Sequence, residues 1–261
     1  MDFKLLSYNV LFNKAFPKLE KIFLKYDPDI LCLQEVDTNE DNLLSLEKYG
    51  YQLADYSNSA LKFGSIYGIA TYFKPNKIVL KSSDSYDLPK SFYELLITAF
   101  RLFRGGNKAR TILKTDLQFK TTNKKVSIYN IHLTLLGINR ERKKQLQSVL
   151  KQEIYSNKAP VILTGDFNYF PYRRKTLEEL MTKHGFEEAT KNLMYTMRIP
   201  PKSFARYGFL QEIGAKFARK FYKNRLKPDY TFYKNITLIK TERIRKEFSD
   251  HYPIIFTFEL K

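Results

Sequence analysis

The sequence predicts a single α/β domain, because strand-like and helix-like segments alternate without a linker-like stretch between them. A strand-like run at 3–7 is followed by a helical pattern at 16–26 and by a continuously apolar run at 30–33. This strand–helix–strand order favours a parallel or mixed sheet that is covered by helices. We therefore treat residues 1–261 as one domain.

The first helical pattern begins in the segment FPKLEKIFLKY. Pro17 suits the first turn of a helix, and apolar residues follow Leu19 at i+3, i+4 and i+7. Asp27 and Pro28 end the pattern, which predicts an amphipathic helix over 16–26.

The rest of the chain continues the alternation. Turn residues separate the further predicted strands, which are 66–73, 77–81, 110–119, 125–133, 160–164, 229–233, 235–240 and 252–260. Helical spacing predicts two more helices, 140–155 and 176–184.

Two segments do not fit this order. Residues 92–103 are mostly apolar but too short to span a bilayer, and they predict either a core helix or a helix at a membrane surface. Residues 198–227 interleave Lys and Arg with aromatic residues and contain a single acidic residue, Glu212. This second segment predicts either a nucleic-acid-binding surface or an amphipathic helix with solvated lysines.

The net charge is the unusual feature of the composition. Lys and Arg number 45 against 27 Asp and Glu, which gives +18 at pH 7. Such an excess favours a polyanionic partner, either nucleic acid or an anionic phospholipid surface, although solubility alone is the alternative reading. No feature indicates a protein partner, and we expect a monomer.

Cysteine usage and the N-terminus both favour the cytoplasm. The single cysteine, Cys32, excludes an internal disulfide and lies in an apolar run, as expected in a reducing compartment. The N-terminal residues lack the pattern of a signal peptide.

Polar residues cluster where the predicted strands end or begin. They are Asn9, Glu35, His132, Asp166, Asn168, Asp229, Asp250 and His251. Strand ends at one edge of a sheet converge on a cleft, and crowded carboxylates there call for a hard cation such as Mg²⁺ or Mn²⁺. Two of the three histidines are in this set, whereas His184 continues a helical spacing and is expected to be structural.

Six ordered motifs carry a resemblance to a known family. They are SYN at 7–9, LQEV at 33–36, YNIHL at 129–133, LTGDFN at 163–168, KPDYTFY at 227–233 and SDHYP at 249–253. Together they resemble the endonuclease/exonuclease/phosphatase superfamily, in its deoxyribonuclease I-like and neutral sphingomyelinase-like branches. The resemblance implies a four-layered α/β sandwich, with two mixed β-sheets packed face to face and helices on the outside.

The resemblance also implies a metal site. Glu35 is similar to the principal metal-binding carboxylate, Asn9 would assist through its amide, and Asp250 would lie by this metal or a second one. The implied cofactor is Mg²⁺ or Mn²⁺.

The remaining motif residues are implied to act on the phosphate. Asp166 and Asn168 would handle the attacking water and a phosphate oxygen, and His132 would donate to the scissile phosphate. Asp229 would orient His251. Whether Asp166 or His251 is the general base stays open.

The favoured function is a Mg²⁺-dependent phosphodiester hydrolase, specifically a nuclease that cuts DNA internally. Residues expected to bind the substrate are Arg173, Arg174, Lys216, Arg219 and Lys220. The alternative is a phosphodiesterase or phosphatase that acts on phospholipids or inositol phosphates. A catalytically inactive nucleic-acid-binding module is disfavoured, because every expected polar position is filled.

Overall fold

The computed structural model describes most of the chain. The described residues are 1–62, 64–88, 111–133, 138–153, 159–169, 172–199 and 225–260, together with Lys216 and Lys220. The predicted helix at 92–103 and most of 198–227 lie outside these residues.

Two six-stranded mixed sheets form the framework of the described part. The first sheet has the spatial order β13 (Thr237–Arg243), β14 (Ile254–Glu259), β1 (Asp2–Asn9), β2 (Ile30–Asp37), β4 (Ser65–Phe73) and β3 (Gln52–Lys62). Within it, β1 and β2 run parallel and the other pairs are antiparallel.

The second sheet has a similar design. Its spatial order is β5 (Ile78–Asp87), β6 (Thr111–Phe119), β7 (Lys125–His132), β8 (Val161–Asp166), β12 (Asp229–Lys234) and β9 (Glu187–Glu188). Here β7 and β8 form the parallel pair. A short two-stranded ribbon, β10 (Met197–Arg198) with β11 (Arg225–Leu226), stands beside the sheets.

The two sheets pack face to face through an apolar core. Phe3, Leu5 and Cys32 of the first sheet lie in one buried cluster with Ile128 and Ile162 of the second. Burial removes this apolar surface from water, at roughly 25 cal/mol per Å², and so favours the sandwich. Cys32 is buried, as the sequence predicts.

Helices cover the outer faces. On the first sheet, α1 (Glu20–Tyr26) and α2 (Glu40–Leu44) contribute Ile22, Phe23 and Leu43 to a second core. On the other sheet, α3 (Asn139–Glu153) and α4 (Arg174–Lys183) contribute Leu146, Leu150, Leu177 and Leu180 to a third. This arrangement confirms the predicted four-layered α/β sandwich.

The helix predicted over 16–26 is divided at Leu19. A 3-10 turn over Phe16–Lys18 precedes α1, and Leu19 N–H donates to the Phe16 carbonyl before the α-helical pattern starts. Apolar spacing does not distinguish a tight 3-10 turn from an α-helix, so the sequence could not show this break.

Strand β3 was not predicted. Within the described residues it is an edge strand that pairs only with β4, and its register shifts twice, at Leu53/Asp55 and at Asn58/Ala60. Bulges of this kind break the alternation of apolar and polar residues from which strands are predicted.

No helix within the described ranges is long and apolar enough to cross a membrane.

Candidate active site

Strand register brings the polar motif residues to one end of the sandwich. Asn9 ends β1 and pairs with Gln34 of the parallel strand β2, while His132 ends β7 and pairs with Asp166 at the end of β8. Asp229 begins β12 and lies opposite Asp166 in an antiparallel pair. Both sheets therefore contribute to a single site.

Glu35 reaches the site through a bulge in β2. The pairing of β2 with β4 shifts register between Gln34 and Val36, and Glu35 has a left-handed φ of 58°. A bulge re-aims a side chain relative to the regular strand. The turn after β1 fixes the Glu35 carboxylate in this position, because the Phe12 N–H donates to Glu35 Oε2 at 3.2 Å.

The glycine of the LTGDFN motif permits a close contact between two strands in the site. A Cβ atom on Gly165 would lie 2.1 Å from the Ile131 carbonyl oxygen, and φ at Gly165 is 137°. Only glycine adopts this conformation at such a short separation without strain. β8 can therefore approach β7 closely enough to set Asp166 beside His132.

Asn168 turns back onto this strand end. Its backbone N–H donates to Asp166 Oδ1 at 2.9 Å, and its Nδ2 donates to the Leu133 carbonyl at 3.0 Å. The residue adopts a left-handed φ of 50°, which asparagine tolerates better than most residues. An amide nitrogen carries two hydrogens, so Nδ2 can also donate to a phosphate oxygen.

Asp229 and His251 form a buried pair. His251 Nδ1 lies 2.9 Å from both carboxylate oxygens of Asp229, and Thr196 Oγ1 donates to Asp229 Oδ2 at 2.6 Å. The bond to Asp229 places a proton on Nδ1 and turns Nε2 toward the site. The backbone N–H of His251 donates to Ser249 Oγ at 3.1 Å, which fixes the start of the last strand.

Asp166 lies at the centre of the site. Its Oδ2 accepts a hydrogen bond from Asn9 Nδ2 at 3.0 Å, and it lies 3.7 Å from His132 Nε2 and 3.8 Å from His251 Nε2. His132 Nε2 is also 3.9 Å from Glu35 Oε1. These five side chains therefore surround one small volume.

The buried charges shift the titration of the site. Burial opposes the ionisation of His251, but Asp229, Asp166 and Asp250 outweigh it and raise its pKa well above the ordinary value. Burial also raises the pKa of Asp166, opposed by the charge of His251 and assisted by that of Asp229. An elevated pKa favours the imidazolium form of His251, which can donate a proton.

The donor set fits a hard divalent cation. Glu35 and Asp166 lie near the same His132 nitrogen, and burying several carboxylates together is costly unless a cation compensates them. Ligand atoms of Asp166, Asp229 and His251 also lie within 4.8 Å of one another. Asp229 and His251 of this second group are already hydrogen-bonded to each other.

The other two predicted metal residues are held firmly inside the protein. Asn9 uses its Nδ2 for Asp166, and its Oδ1 accepts the Leu11 N–H at 3.0 Å. Asp250 is buried, and its Oδ1 accepts from Ser249 Oγ at 3.2 Å. Both residues lie at the same end of the sandwich as Asp166 and His251.

A buried amide pair ties the two sheets together directly behind the site. Gln34 Nε2 donates to Asn130 Oδ1 at 2.8 Å across the sandwich. Asn130 Nδ2 donates in turn to the carbonyls of Leu33 and Ala70, at 3.2 and 3.0 Å. We call the Gln34–Asn130 pair the amide clasp. Gln34 precedes Glu35 and Asn130 lies two residues before His132, so the amide clasp sets the distance between Glu35 and His132.

The predicted substrate-binding residues do not all face the site. Arg174 pairs with Glu188 at 3.0 Å and with Glu178 at 2.7 Å, so its charge is compensated within the protein. Arg173, Lys216 and Lys220 are exposed, and Arg219 lies outside the described residues. The predicted structural role of His184 agrees with its position at the end of α4, where Nδ1 is 2.9 Å from the Leu180 carbonyl.

Sequence reasoning missed two groups that support the site. Thr196 lies in a segment with no recognisable motif, although its hydroxyl orients Asp229. Lys227 of the KPDY motif lies buried 2.7 Å from Glu188 and donates to the Thr190 carbonyl at 2.6 Å. Lys227 opens the KPDYTFY motif, but nothing in that motif indicates the partner of its charge.

A family model and several curated relatives match this chain. Residues 6–251 match the Endonuclease/Exonuclease/phosphatase family. A curated relative, the CCR4-Not complex 3'-5'-exoribonuclease subunit Ccr4 of Kluyveromyces lactis, is 27% identical over 215 residues, which cover 64% of this chain and 27% of that protein. The chain thus spans about a quarter of the length of this relative.

Solved structures share the fold over nearly the whole chain. The human Nocturnin catalytic domain with bound sulfate superposes with a TM-score of 0.71 at 19% identity, covering 99% of this chain and 94% of that one. Danio rerio TDP2 in complex with a single-stranded DNA product gives 0.66 at 16% identity, with 99% of each chain covered.

Proposed function

The chain belongs to the Endonuclease/Exonuclease/phosphatase family, and from this premise we propose that it is a divalent-metal-dependent nuclease that hydrolyses phosphodiester bonds in RNA. The observation that carries the proposal is the Asp229–His251 pair beside Asp166, with Glu35 on the other side of His132. A phosphodiester is anionic, so cleavage needs charge neutralisation, a directed water and a proton donor.

Glu35 would hold Mg²⁺ or Mn²⁺, assisted by Asn9 and by Asp250. When bound, such an ion polarises a phosphoryl oxygen and stabilises the developing negative charge. His132 and Asn168 donate hydrogen bonds to the phosphate oxygens, and preorganised donors of this kind are worth about 3 kcal/mol each in a dry site.

His251 and Asp166 carry out the two proton transfers. His251, whose pKa is raised, donates a proton to the leaving oxygen, and Asp229 holds the ring in the required orientation. Asp166 accepts a hydrogen bond from the attacking water and receives its proton. This division assigns the general base, which the sequence left open, to Asp166.

The choice of RNA rests on the curated relatives. Several of them are named as 3'-5'-exoribonuclease subunits. The sequence alone favoured an endonuclease that acts on DNA, and that stays a prediction for the same experiment. The phospholipid alternative rested largely on residues 92–103, which lie outside the described part.

The test is a substrate panel with Mg²⁺, with Mn²⁺ and with EDTA. It compares a 20-mer single-stranded RNA, the DNA of the same sequence, supercoiled plasmid, sphingomyelin vesicles and inositol polyphosphates. We expect cleavage of the RNA, abolished by EDTA and reduced about 10²–10⁴-fold by His251→Ala. The matched control, His184→Ala, should retain activity.

Other outcomes would contradict the proposal. Nicking of plasmid without RNA cleavage would restore the DNA endonuclease prediction, and hydrolysis of only lipid or inositol phosphates would replace the nuclease assignment. RNA cleavage that survives His251→Ala would show that the chemistry lies elsewhere.

A further inference from the structure

A cluster of arginine and tyrosine side chains lies beside His251. We call it the Arg–Tyr patch; its members are Tyr195, Arg198, Arg225, Arg243 and Tyr252. The guanidinium carbon of Arg243 lies 3.8 Å from the centroid of the Tyr195 ring and 5.0 Å from that of Tyr252. The guanidinium carbon of Arg225 lies 4.9 Å from the Tyr195 ring. The two arginines thus share one aromatic neighbour.

Backbone hydrogen bonds join this patch to the active site. Tyr252 directly follows His251, and its N–H donates to the Thr196 carbonyl at 2.8 Å. The Arg198 N–H donates to the Asp250 carbonyl, also at 2.8 Å. The Thr196 hydroxyl also holds Asp229, the partner of His251. The short segment 195–198 therefore positions both His251 and the Arg–Tyr patch.

Two arginines of the patch have no acidic partner among the described residues. Within the described ranges no carboxylate lies at salt-bridge distance from Arg225 or Arg243, and Arg225 is exposed. Arg198 pairs with Glu247 at 3.1 Å, but both side chains are more than half exposed. Such a surface pair contributes little and exchanges readily with another anion.

Packing within the protein accounts for the position of Arg243 but not for that of Arg225. Arg243 is partly buried, and its Nη1 donates to the Tyr195 carbonyl at 2.9 Å, so it stabilises the fold. Arg225 is exposed and forms no salt bridge with a carboxylate among the described residues. A guanidinium that rests on an aromatic ring keeps its N–H edge free for phosphate and offers its other face to a base.

We infer that the Arg–Tyr patch binds the nucleotides that flank the scissile bond of a single-stranded nucleic acid, and so selects a polynucleotide over a small phosphodiester. This inference rests on the proposed nuclease function. Arg225 contacts a flanking phosphate, and Arg198 joins it when the substrate displaces Glu247.

The test compares Arg225→Ala and Arg225→Glu with a matched pair, Lys120→Ala and Lys120→Glu. Lys120 is exposed in the turn before β7, and the eight residues of that strand separate this turn from His132 at its other end. Two measurements are made: KM and kcat for a 20-mer single-stranded RNA and for bis(p-nitrophenyl) phosphate, and RNA binding by fluorescence anisotropy in EDTA.

We expect Arg225→Glu to raise the Kd and KM for the 20-mer by about tenfold or more, with a much smaller change in kcat and in hydrolysis of the small diester. Arg225→Ala should reduce the slope of log Kd against log salt by about 1. The Lys120 variants should change neither quantity.

Equal RNA affinity in the Arg225→Glu and Lys120→Glu variants would overturn the inference, as would tighter binding of duplex than of single-stranded RNA. Binding to phosphatidylserine vesicles but not to RNA would reassign the patch to a membrane surface. If the wild-type protein cleaved no substrate, the proposed function would fail, while the anisotropy titration would still decide whether the patch binds RNA.

Discussion

Glu35 occupies a backbone conformation that suits glycine. Its φ of 58° is left-handed, which costs a residue with a Cβ atom roughly 1–2 kcal/mol. The same bulge directs its carboxylate toward His132. The backbone strain thus lies at the residue whose carboxylate enters the site.

This strain can be measured with two variants that both lack the carboxylate. We expect Glu35→Gly to be about 1 kcal/mol more stable than Glu35→Ala in urea denaturation, because glycine adopts this φ without a steric cost. Both variants should lose divalent-cation binding in calorimetry. If the alanine variant were as stable as the glycine variant, the bulge would carry no strain.

Thr196 acts on the site through Asp229. Its hydroxyl donates to Oδ2 at 2.6 Å and accepts the Asp229 N–H at 3.2 Å. Without it the carboxylate can rotate away from His251, so Thr196→Val should lower kcat about 10- to 100-fold with little change in KM.

The control for this prediction lies on the same strand as Asp229. Thr231 shares a buried hydrogen bond of 2.6 Å with Thr164, so Thr231→Val removes a comparable bond without touching Asp229. A similar loss of kcat in both variants would mean that the effect is one of general stability.

At this scale the sequence predicted the residues that lie at strand ends and missed those that support them. Asn9, Asp166 and Asp229 directly end or begin strands, so local pattern and motif order were sufficient to find them. Thr196 and the partners of Asn130 are set by contacts between segments far apart in the chain. Such pairings leave no periodic signal in a single sequence.

The central strands are the elements that the sequence predicted well. Strands β1, β2, β7 and β8 are buried and read as apolar runs, whereas the edge strand β3 is polar and bulged. Asn9, Glu35, His132 and Asp166 of the site lie on these four strands. Hence its location could be predicted, although the pairing of the two sheets behind it could not.

The amide clasp between Gln34 and Asn130 should be essential for the packing of the two sheets against each other. Asn130→Leu removes an acceptor from Gln34 and two donated bonds to the opposite sheet, and buried polar groups left unpaired cost about 1–3 kcal/mol each. We expect a loss of about 2–4 kcal/mol in urea denaturation and weaker divalent-cation binding, because Glu35 and His132 separate.

Thr115 on strand β6 provides the contrasting case. Its hydroxyl is buried and has no hydrogen-bond partner within the described part of the chain. Thr115→Val should therefore be neutral or slightly stabilising, with metal binding unchanged. A neutral Asn130→Leu would show that the clasp is dispensable.

The Glu188–Lys227 pair links β9 to the segment that precedes Asp229. The two side chains are 2.7 Å apart and at most 9% exposed. Removing one partner of a buried pair costs about 3–5 kcal/mol, so we expect Glu188→Gln to destabilise by that amount. The exposed Lys240–Glu242 pair is the control, and Glu242→Gln should cost less than about 1 kcal/mol.

The Glu188–Lys227 pair should also make the folding stability depend on pH. Burial opposes ionisation of Glu188, but the positive charges of Lys227 and Arg174 outweigh it and lower the pKa. A carboxyl with a lowered pKa in the folded state contributes stability above its unfolded pKa and loses it as the pH falls. Between about pH 5 and pH 3 the wild type should therefore lose stability more steeply than Glu188→Gln. Parallel curves would mean that the pair does not titrate with folding.

At the scale of the whole molecule, the active site depends on how the two sheets meet. One sheet supplies Asn9 and Glu35, the other supplies His132, Asp166 and Asp229, and the inter-sheet core holds them together. The same compact framework carries a net charge of +18. Folding brings these charges together, so their mutual repulsion opposes the folded state.

Salt should consequently stabilise this protein. The Debye length falls from about 30 Å at 0.01 M to about 8 Å at 0.15 M, which screens repulsion between distant charges more than contacts within a salt bridge. A gain of about 1 kcal/mol would raise Tm by about 2–4 °C. The measurement is a thermal melt in NaCl, since sulfate would also strengthen apolar burial.

The charge-reversed variant Lys120→Glu/Lys125→Glu separates repulsion from other effects of salt. Both lysines are exposed, Lys120 in the turn before β7 and Lys125 at the first position of that strand, and the two substitutions reduce the net charge by four without removing a buried contact. The variant should therefore show a smaller rise in Tm with NaCl than the wild type. A wild-type Tm that falls as NaCl increases would mean that the surface ion pairs outweigh the repulsion, and that the excess positive charge is tolerated at no cost to folding.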